Sequence, residues 1–323
     1  MGRGRVRVNR RSDGKLRDCA QALAFAALLA LGCTLPAAHA ESLPSPSATR
    51  IDLPLADGNA ITAHWYPIAP GSADPVRRPA VVALHGCGGL WRNSRSIGSA
   101  FDTRYPEYIG RLHAAGMHVL LPDSFSARGS GAICNQKSAE RVIKVETRRI
   151  DVRAAVQWLA ARPEVDPARI LVLGWSHGAM TALSALNDRR TDAAAPVAGV
   201  AVFYPGCNEL LQWPFGVSQP LLMLLGGADD WTPPARCEQL VERTRRQRPA
   251  VDITLQVYPG AYHGFDGRNP VRFRPDVPNG VNAAGVHVGG DPSARAAAQA
   301  ELDRFLARFT SGAPAAHVST QPR

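Results

Sequence analysis

The 323-residue sequence has few cysteines, no visible internal repeat and no apolar run that we assign as a membrane span. The six cysteines lack the CxxC-type spacing of common structural metal sites, so we expect no metal centre. The longest apolar stretch, residues 20–35, is short and rich in alanine. Apolar residues make up 45% and charged residues 20% of the chain, which is ordinary for a globular protein and excludes a disordered or fibrous class.

Acidic residues are the scarcer of the two charge types, with 27 Asp and Glu against 37 Lys and Arg, a net charge of +10. Half of this excess lies in residues 1–40, where seven basic residues face two acidic ones. The remainder is scattered, apart from a cluster at residues 243–248 that is typical of a solvated helix face. We therefore expect no nucleic-acid partner.

The first forty residues have the three parts of a secretory signal. A basic stretch precedes the apolar run, and Ala38-His39-Ala40 follows it as a cleavage motif. This pattern predicts a signal peptide over 1–40, cleavage after Ala40, and a secreted or periplasmic protein without a membrane span in its mature form. Two alternatives remain: Cys33 as a lipoprotein acylation site, and twin-arginine export through Arg10-Arg11, although polar residues follow that pair.

The mature chain divides into a flexible lead-in at 41–50, one catalytic domain at 51–311 and a disordered tail at 312–323. Strands are predicted at residues 61–68, 79–84, 117–121, 169–173, 197–204, 220–225 and 251–258. Helices are predicted at residues 105–115, 138–161, 177–186, 234–246 and 293–309. Continuous apolar strands separated by helices indicate an α/β fold with a mostly parallel central sheet covered by helices on both faces. Residues 267–291 are rich in Gly, Pro and Asn and predict a long functional or mobile loop.

The pentapeptide Gly174-Trp175-Ser176-His177-Gly178 matches the G-x-S-x-G nucleophile elbow of α/β-hydrolases. It follows a predicted strand and opens a predicted helix, which is the context that the motif requires. The alternative is a tight glycine turn with an unreactive serine. We take Ser176 as the candidate nucleophile.

A serine nucleophile needs a base and an acid, which follow it in that fold in the order Ser, acid, His. His263 comes just after the last predicted strand and is the candidate base. Asp229 and Asp230 both follow the preceding strand, and we prefer Asp229 as the acid that orients the histidine. Asp230 is the alternative acid, or a cap for the turn that follows.

An acyl-transfer site also needs hydrogen-bond donors for the oxyanion. Residues 85–89 (His-Gly-Cys-Gly-Gly) end a buried predicted strand, and such glycine-rich backbone can approach a substrate closely. The backbone N–H groups of Cys87 and His177 are the candidate donors. The alternative is a flexible glycine turn.

Four cysteines remain after signal cleavage, and an even number in an oxidising compartment suggests disulfides. Three pairings are possible. We favour Cys87–Cys134 and Cys207–Cys237, because each pair would join loops at one edge of the sheet. Free, buried thiols are the alternative.

Four motifs together resemble the dienelactone hydrolase family: residues 85–89, the pentapeptide at 174–178, Gly-Gly-Ala-Asp-Asp-Trp-Thr-Pro at 226–233, and Tyr-Pro-Gly-Ala-Tyr-His-Gly-Phe at 258–265. They occur in the family's order and span nearly the whole mature chain. The resemblance implies an α/β-hydrolase fold and the hydrolysis of a small-molecule ester or lactone without a cofactor.

Two features depart from the family. Founding members have a cysteine where this sequence has Ser176, and they are cytosolic, whereas this chain begins with a predicted export signal. Both departures loosen the expectation of dienelactone as the substrate. Arg128 follows a strand and is either a contact for an anionic substrate group or a structural arginine. A peptidase or acyltransferase of the same fold, and a binding protein without catalytic activity, are the alternative functions.

Overall fold

Eight strands of the computed structural model, which describes residues 48–69, 76–190 and 197–310, form one large sheet. The strands of this sheet are β1 (Thr49–Pro54), β2 (Ala60–Tyr66), β3 (Arg78–Leu84), β4 (His118–Pro122), β5 (Val165–Trp175), β6 (Gly199–Phe203), β7 (Leu221–Gly226) and β8 (Ile253–Tyr258). A separate pair comprises β9 (Arg272–Arg274) and β10 (Val286–Val288). The helices are α1 (Arg104–Ala114), α2 (Val145–Ala160), α3 (His177–Ala185), α4 (Asn208–Gln212), α5 (Pro234–Gln247) and α6 (Pro292–Thr310).

The strand order in the large sheet is β1-β2-β4-β3-β5-β6-β7-β8. The six strands from β4 to β8 in that order are parallel, and β1 and β2 join them antiparallel at one edge. The expected α/β-hydrolase fold with a mostly parallel sheet is therefore confirmed. Leu84 at the end of β3 pairs with Gly174 near the end of β5, so the segments that follow these two strands are neighbours.

The central strands are apolar throughout because the sheet is covered on both faces. Alternate residues of β3 enter separate core clusters: Ala80, Val82 and Leu84 pack on one face, and Val81 and Ala83 on the other. The first cluster contains buried residues of α2, α3 and α5, and the second contains those of α1 and α6. The core thus lies in two layers around one sheet.

The predicted helix at 138–161 is wrong in its first turns, because α2 begins only at Val145. Val142 belongs to the apolar spacing that suggested a helix, yet it is 87% exposed. Instead, residues 138–140 form one turn of 3₁₀ helix, and the Ser138 N–H and hydroxyl both bond to the Asn279 side chain. A contact with a distant loop therefore outweighs the local helical pattern here.

Three strands and one helix were not predicted: β1, β9, β10 and α4. Strand β1 includes residues 49 and 50, so the end of the expected flexible lead-in is part of the sheet. The irregular stretch 267–291 contains the β9–β10 pair, and Val288 of β10 forms a bridge with His263. This loop is consequently attached to the turn that carries the candidate base.

The described residues belong to one compact unit. The expected signal peptide, residues 41–47 of the lead-in and the expected tail at 312–323 lie outside the described residues. Within the described ranges, no helix is both long and apolar enough to cross a membrane.

Candidate active site

Ser176 lies in the sharp turn between β5 and α3, with a φ of 51° and a ψ of −116°. A positive φ is uncommon for a residue with a side chain and is found at strained turns. Two hydrogen bonds hold this backbone: the Ser176 N–H donates to the Phe203 carbonyl at 2.9 Å, and the Met180 N–H donates to the Ser176 carbonyl at 2.9 Å. This is the strand–turn–helix geometry expected from the pentapeptide.

Ser176, His263 and Asp229 form a continuous hydrogen-bonded chain. His263 Nε2 lies 2.9 Å from the Ser176 hydroxyl oxygen, and His263 Nδ1 lies 2.8 Å from Asp229 Oδ2. The side chains of His263 and Asp229 are 5% and 0% exposed. An ionised carboxylate can only accept, so Nδ1–H donates to Asp229 and leaves Nε2 to accept the serine proton.

The structure places Asp229, not Asp230, against His263. Asp229 Oδ1 also accepts the N–H groups of Trp231 and Thr232, at 2.9 and 2.8 Å, which fixes the carboxylate. Asp230 bonds elsewhere: its oxygens accept the backbone N–H and the ring Nδ1 of His287, at 2.8 and 2.7 Å. The two adjacent aspartates thus have different partners.

Thr232 is a member of this site that the sequence analysis missed. Its hydroxyl oxygen lies 2.9 Å from Asp229 Oδ2, 3.1 Å from His263 Nδ1 and 3.2 Å from the carbonyl oxygen of Tyr204. A threonine three residues after an aspartate is a recognisable local turn pattern, in which the carboxylate accepts the backbone N–H groups that follow it. That pattern was the available signal.

The candidate oxyanion donors lie in the same cavity as Ser176. Cys87 and His177 both line this cavity, because the end of β3 adjoins the turn after β5. The N–H of His177 is at the first position of α3, where helical N–H groups have no partner within the helix. Among the backbone bonds of the described residues, none uses the N–H of Cys87 or His177. Both are therefore available to an oxyanion.

Both favoured disulfides are present, Cys87–Cys134 and Cys207–Cys237. The first joins the loop after β3 to the segment that precedes α2. The Ile133 N–H also donates to the Cys87 carbonyl at 2.8 Å, so this loop is held through both sulfur and backbone. Cys207 lines the cavity as well, which brings both disulfides next to Ser176.

Arg128 has a structural role and is not among the residues that line the cavity at Ser176. Its two terminal nitrogens bond to the buried carboxylate of Asp151 at 2.8 and 2.9 Å, and one of them also bonds to the Ser124 carbonyl at 2.7 Å. A fork-to-fork ion pair of this kind uses the donors that would hold an anionic substrate group. Of the two alternatives for Arg128, the geometry fits the structural arginine and not the substrate contact.

A second buried network connects the turns of Ser176 and His263. Asp266, three residues after His263, accepts hydrogen bonds from the Trp175 indole at 2.9 Å, the Tyr204 hydroxyl at 2.6 Å and Arg104 Nε at 3.1 Å. The Asp266 side chain is fully buried. Nothing in the sequence pattern distinguished Asp266, because its partners are far apart along the chain.

The cavity at Ser176 has a volume of about 130 Å³. Its lining combines apolar surface, including Met180 and Trp231, with the charged side chains of Arg141, Glu209 and Arg236. Within the part of the chain that the structure describes, no group of three or more His, Cys, Asp or Glu side chains could hold a metal ion.

Two known proteins are similar to this chain in sequence. The chain is 30% identical over 244 residues to an uncharacterized protein of Mycobacterium tuberculosis, covering 69% of this chain and 76% of that protein. It is 27% identical over 130 residues to poly(3-hydroxyalkanoate) depolymerase C of Paucimonas lemoignei, covering 40% of this chain and 29% of that protein.

Two solved structures show a similar fold, each at 19% sequence identity. Esterase 2 of Thermogutta terrifontis has a TM-score of 0.55, and the match covers 82% of this chain and 96% of that structure's chain. A dienelactone hydrolase-like promiscuous phosphotriesterase from metagenomic libraries has a TM-score of 0.57 and covers 82% of this chain and 99% of its own. The sequence profile of the dienelactone hydrolase family matches residues 68–309. The chain therefore belongs to the dienelactone hydrolase family and is a hydrolase.

Proposed function

We propose that this protein is a serine hydrolase that cleaves a carboxylic ester or lactone through an acyl-enzyme on Ser176. The observation that carries the proposal is the hydrogen-bonded chain from Ser176 through His263 to Asp229, at 2.9 and 2.8 Å. Two unused N–H groups beside Ser176 complete the requirements of acyl transfer. The name of one similar structure, an esterase, supports the same reaction class, and the other is named as a dienelactone hydrolase-like promiscuous phosphotriesterase, which also cleaves esters.

The reaction proceeds in two displacements. Ser176 Oγ attacks the carbonyl carbon while His263 Nε2 takes the hydroxyl proton, and the carbonyl π electrons move to oxygen, where the N–H groups of Cys87 and His177 stabilise the charge. The C–O bond to the alcohol then breaks, and His263 returns the proton to the leaving oxygen. A water molecule, deprotonated by the same nitrogen, then attacks the acyl carbon. The bond from that carbon to Ser176 Oγ breaks, His263 returns the proton to Oγ, and the acid leaves. Asp229 holds the ring in the required tautomer throughout.

The size of the cavity favours short acyl groups. A volume of about 130 Å³ is close to that of an engineered cavity that holds benzene, so it accommodates a few carbon atoms beyond the carbonyl. Structures of the Thermogutta esterase 2 include propionate-bound and butyrate-bound forms. We propose a similar preference for this chain.

The proposal is tested with p-nitrophenyl esters of graded acyl length and with a fluorophosphonate probe. Wild-type protein should hydrolyse acetyl to butyryl esters faster than octanoyl esters, and the probe should attach to Ser176. Ser176→Ala should lose the labelling and lower kcat by roughly 10³-fold to 10⁶-fold, since a serine triad acts as a unit. Equal rates in both proteins, or a wild-type protein that the probe does not label, would refute the assignment.

We also propose that the protein is secreted or periplasmic after cleavage behind Ala40. Two disulfides beside the site support an oxidising compartment. Mass spectrometry of the N-terminus of the protein from its native host should find Glu41 as the first residue. An unprocessed N-terminus would contradict export by this signal, and a lipid-modified Cys33 would identify a lipoprotein instead.

A further inference from the structure

Arg148 is a fully buried arginine behind the candidate oxyanion donors. It lies in the first turn of α2 and is 0% exposed. One terminal nitrogen donates to His177 Nδ1 at 2.9 Å, and the other donates to the carbonyl oxygen of His85 at 2.9 Å. The guanidinium also lies over the Phe125 ring, 5.1 Å from its centre.

No carboxylate of the described residues forms an ion pair with this guanidinium. Asp151 is the nearby acid on the same helix, but its oxygens are taken by Arg128. Burial lowers the pKa of Arg148 to about 10, so the side chain keeps its positive charge at neutral pH. A buried charge without a touching counter-ion is unfavourable for folding, and an apolar side chain of similar volume would avoid that penalty. Stability alone therefore does not account for an arginine here.

Both acceptors of Arg148 belong to the two segments that carry the candidate oxyanion donors. The His85 carbonyl lies directly before the turn of Cys87, and His177 supplies its own N–H. The His85 ring adds to this arrangement, because its Nδ1 lies 2.8 Å from the Gly86 carbonyl oxygen, which the Gly89 N–H also approaches at 3.2 Å. In a trans peptide the carbonyl and the next N–H point in opposite directions. Because the His85 ring and the Gly89 N–H hold the Gly86 carbonyl, the Cys87 N–H points in the opposite direction, away from the His85 ring.

Arg148 also determines how His177 is held. Because an arginine nitrogen can only donate, His177 Nδ1 must be the unprotonated nitrogen of a neutral ring. Burial, reinforced by the charge of Arg148, lowers the pKa of His177 well below its usual value, which agrees with this neutral form. The ring is thereby fixed beneath the first turn of α3.

We propose that Arg148 is a positioning residue for the oxyanion hole, which fixes the N–H groups of Cys87 and His177 relative to each other and adds a buried positive charge beside them. This inference rests on the proposed ester hydrolysis. The substrate carbonyl is neutral before Ser176 attacks and negative afterwards, so the effect of Arg148 appears mainly in the transition state. Losing it should therefore lower kcat and leave KM almost unchanged.

The test compares Arg148→Met and Arg148→Lys with wild type on a short-chain p-nitrophenyl ester. Complete labelling with a fluorophosphonate counts the competent sites, so that kcat refers to folded enzyme only. Arg148→Met should lower kcat by about 10-fold to 100-fold with KM within about threefold, because removal of a whole oxyanion donor costs about 10²-fold to 10³-fold. Arg148→Lys keeps the charge but can reach one acceptor at a time. Its kcat should therefore lie between those of Arg148→Met and wild type.

Arg243→Met is the matched control. Arg243 also bonds to backbone carbonyls, those of Leu210 and Leu211 at 2.7 Å each, but it does not line the cavity at Ser176. Arg243→Met should change kcat per site by less than about twofold, as expected for a substitution outside the transition-state contacts.

A second measurement separates positioning from a merely structural role. A trifluoromethyl ketone forms a reversible adduct with the serine, and the adduct places an oxyanion in the hole. Its affinity should fall in Arg148→Met by the same factor as kcat/KM. Unchanged inhibitor affinity, or a kcat per site within about twofold of wild type, would overturn the inference. If Arg148→Met does not fold, Arg148→Lys decides by the same two measurements. An inactive wild-type protein would instead refute the proposed function, so the two failures are distinguishable.

Discussion

The backbone at Ser176 is held in a conformation that side chains rarely adopt, with a φ of 51°. Such a residue costs about 1–3 kcal/mol and persists only where its surroundings determine it. Here the conformation is held by the hydrogen bond from the Ser176 N–H to β6 and by the hydrogen bond that the Ser176 carbonyl accepts within α3. The hydroxyl is consequently aimed at His263 before any substrate binds, which lowers the entropy that catalysis must overcome.

At the scale of single residues, the two adjacent aspartates allow a direct comparison of a candidate catalytic acid with its neighbour. Asp229→Asn should lower kcat by about 10⁴-fold, because an amide can no longer favour the ring tautomer that leaves Nε2 as the acceptor. Asp230→Asn removes a charge one residue away, but its contacts are with His287, and kcat should change by less than about 10-fold. Steady-state kinetics on both variants, with circular dichroism to verify folding, give the comparison. Similar losses in the two variants would mean that Asp229 is not the acid.

At the scale of elements, α3 packs against the end of β3 with no space for a side chain between them. A Cβ at Gly178 would collide with the backbone carbonyls of Leu84 and His85. A Cβ at Gly174 would in turn collide with the backbone of Gly178. The two glycines of the pentapeptide therefore set the distance between the segments of Cys87 and His177, as well as permitting the turn.

Gly178→Ala tests this close approach. The added methyl group must push α3 away from β3, which we expect to lower the free energy of unfolding by about 1–3 kcal/mol and to lower kcat as well. Gly110→Ala in α1 is the matched control, because nothing lies within 4 Å of its added Cβ. Alanine is the better helix former, so that variant should be more stable by about 0.5–1 kcal/mol with unchanged kcat. Urea denaturation measures both, and a neutral Gly178→Ala would disprove the steric argument.

At the scale of the whole molecule, two disulfides constrain the unfolded chain. They connect residues 47 and 30 positions apart. Loops of these lengths predict a stabilisation of about 4 kcal/mol for each bond. Replacing either pair by serines should therefore lower Tm by roughly 8–16 °C in a domain of this size. Differential scanning calorimetry of both double variants, with thiol titration to verify the remaining bond, checks this. An unchanged Tm in either variant would contradict it.

The buried histidines make the stability of the whole molecule depend on pH. Burial, followed by the charge of Arg148, lowers the pKa of His177 well below its usual value and that of His85 to about 3. The unfolded chain then binds more protons than the folded one below about pH 6.5, so stability increases with pH in that range.

We therefore expect the free energy of unfolding to be largest above about pH 6.5 and to fall as the pH is lowered towards 3, by at most about 1.4 kcal/mol per pH unit for each of the two histidines. Urea denaturation at a series of pH values from about 7.5 to 4.5 measures the slope. A free energy of unfolding that stays constant over this range would show that these rings are not held neutral.

The sequence predicted the parallel sheet, most helices and the positions of Ser176, Asp229 and His263, because these depend on local patterns. Buried strands are continuous apolar runs, and the three residues each follow such a run. Parallel strands bring the segments at their carboxyl ends to one edge of the sheet, so the order along the chain already places the three residues close together. The two disulfide pairings followed from the same reasoning.

Only the tertiary structure decided the features that depend on partners distant in sequence. It showed that Asp229 contacts His263 and that Asp230 contacts His287. It also showed that Arg128 forms an ion pair with Asp151, and that α2 begins only at Val145. The bonds of Arg148, which reach 63 residues back to His85 and 29 forward to His177, belong to this class. Local patterns determine which backbone conformation a segment prefers, whereas packing determines which polar group a buried side chain meets. In the arrangement around Ser176, the sequence by itself determined the candidate reacting residues, and the fold determined what holds them.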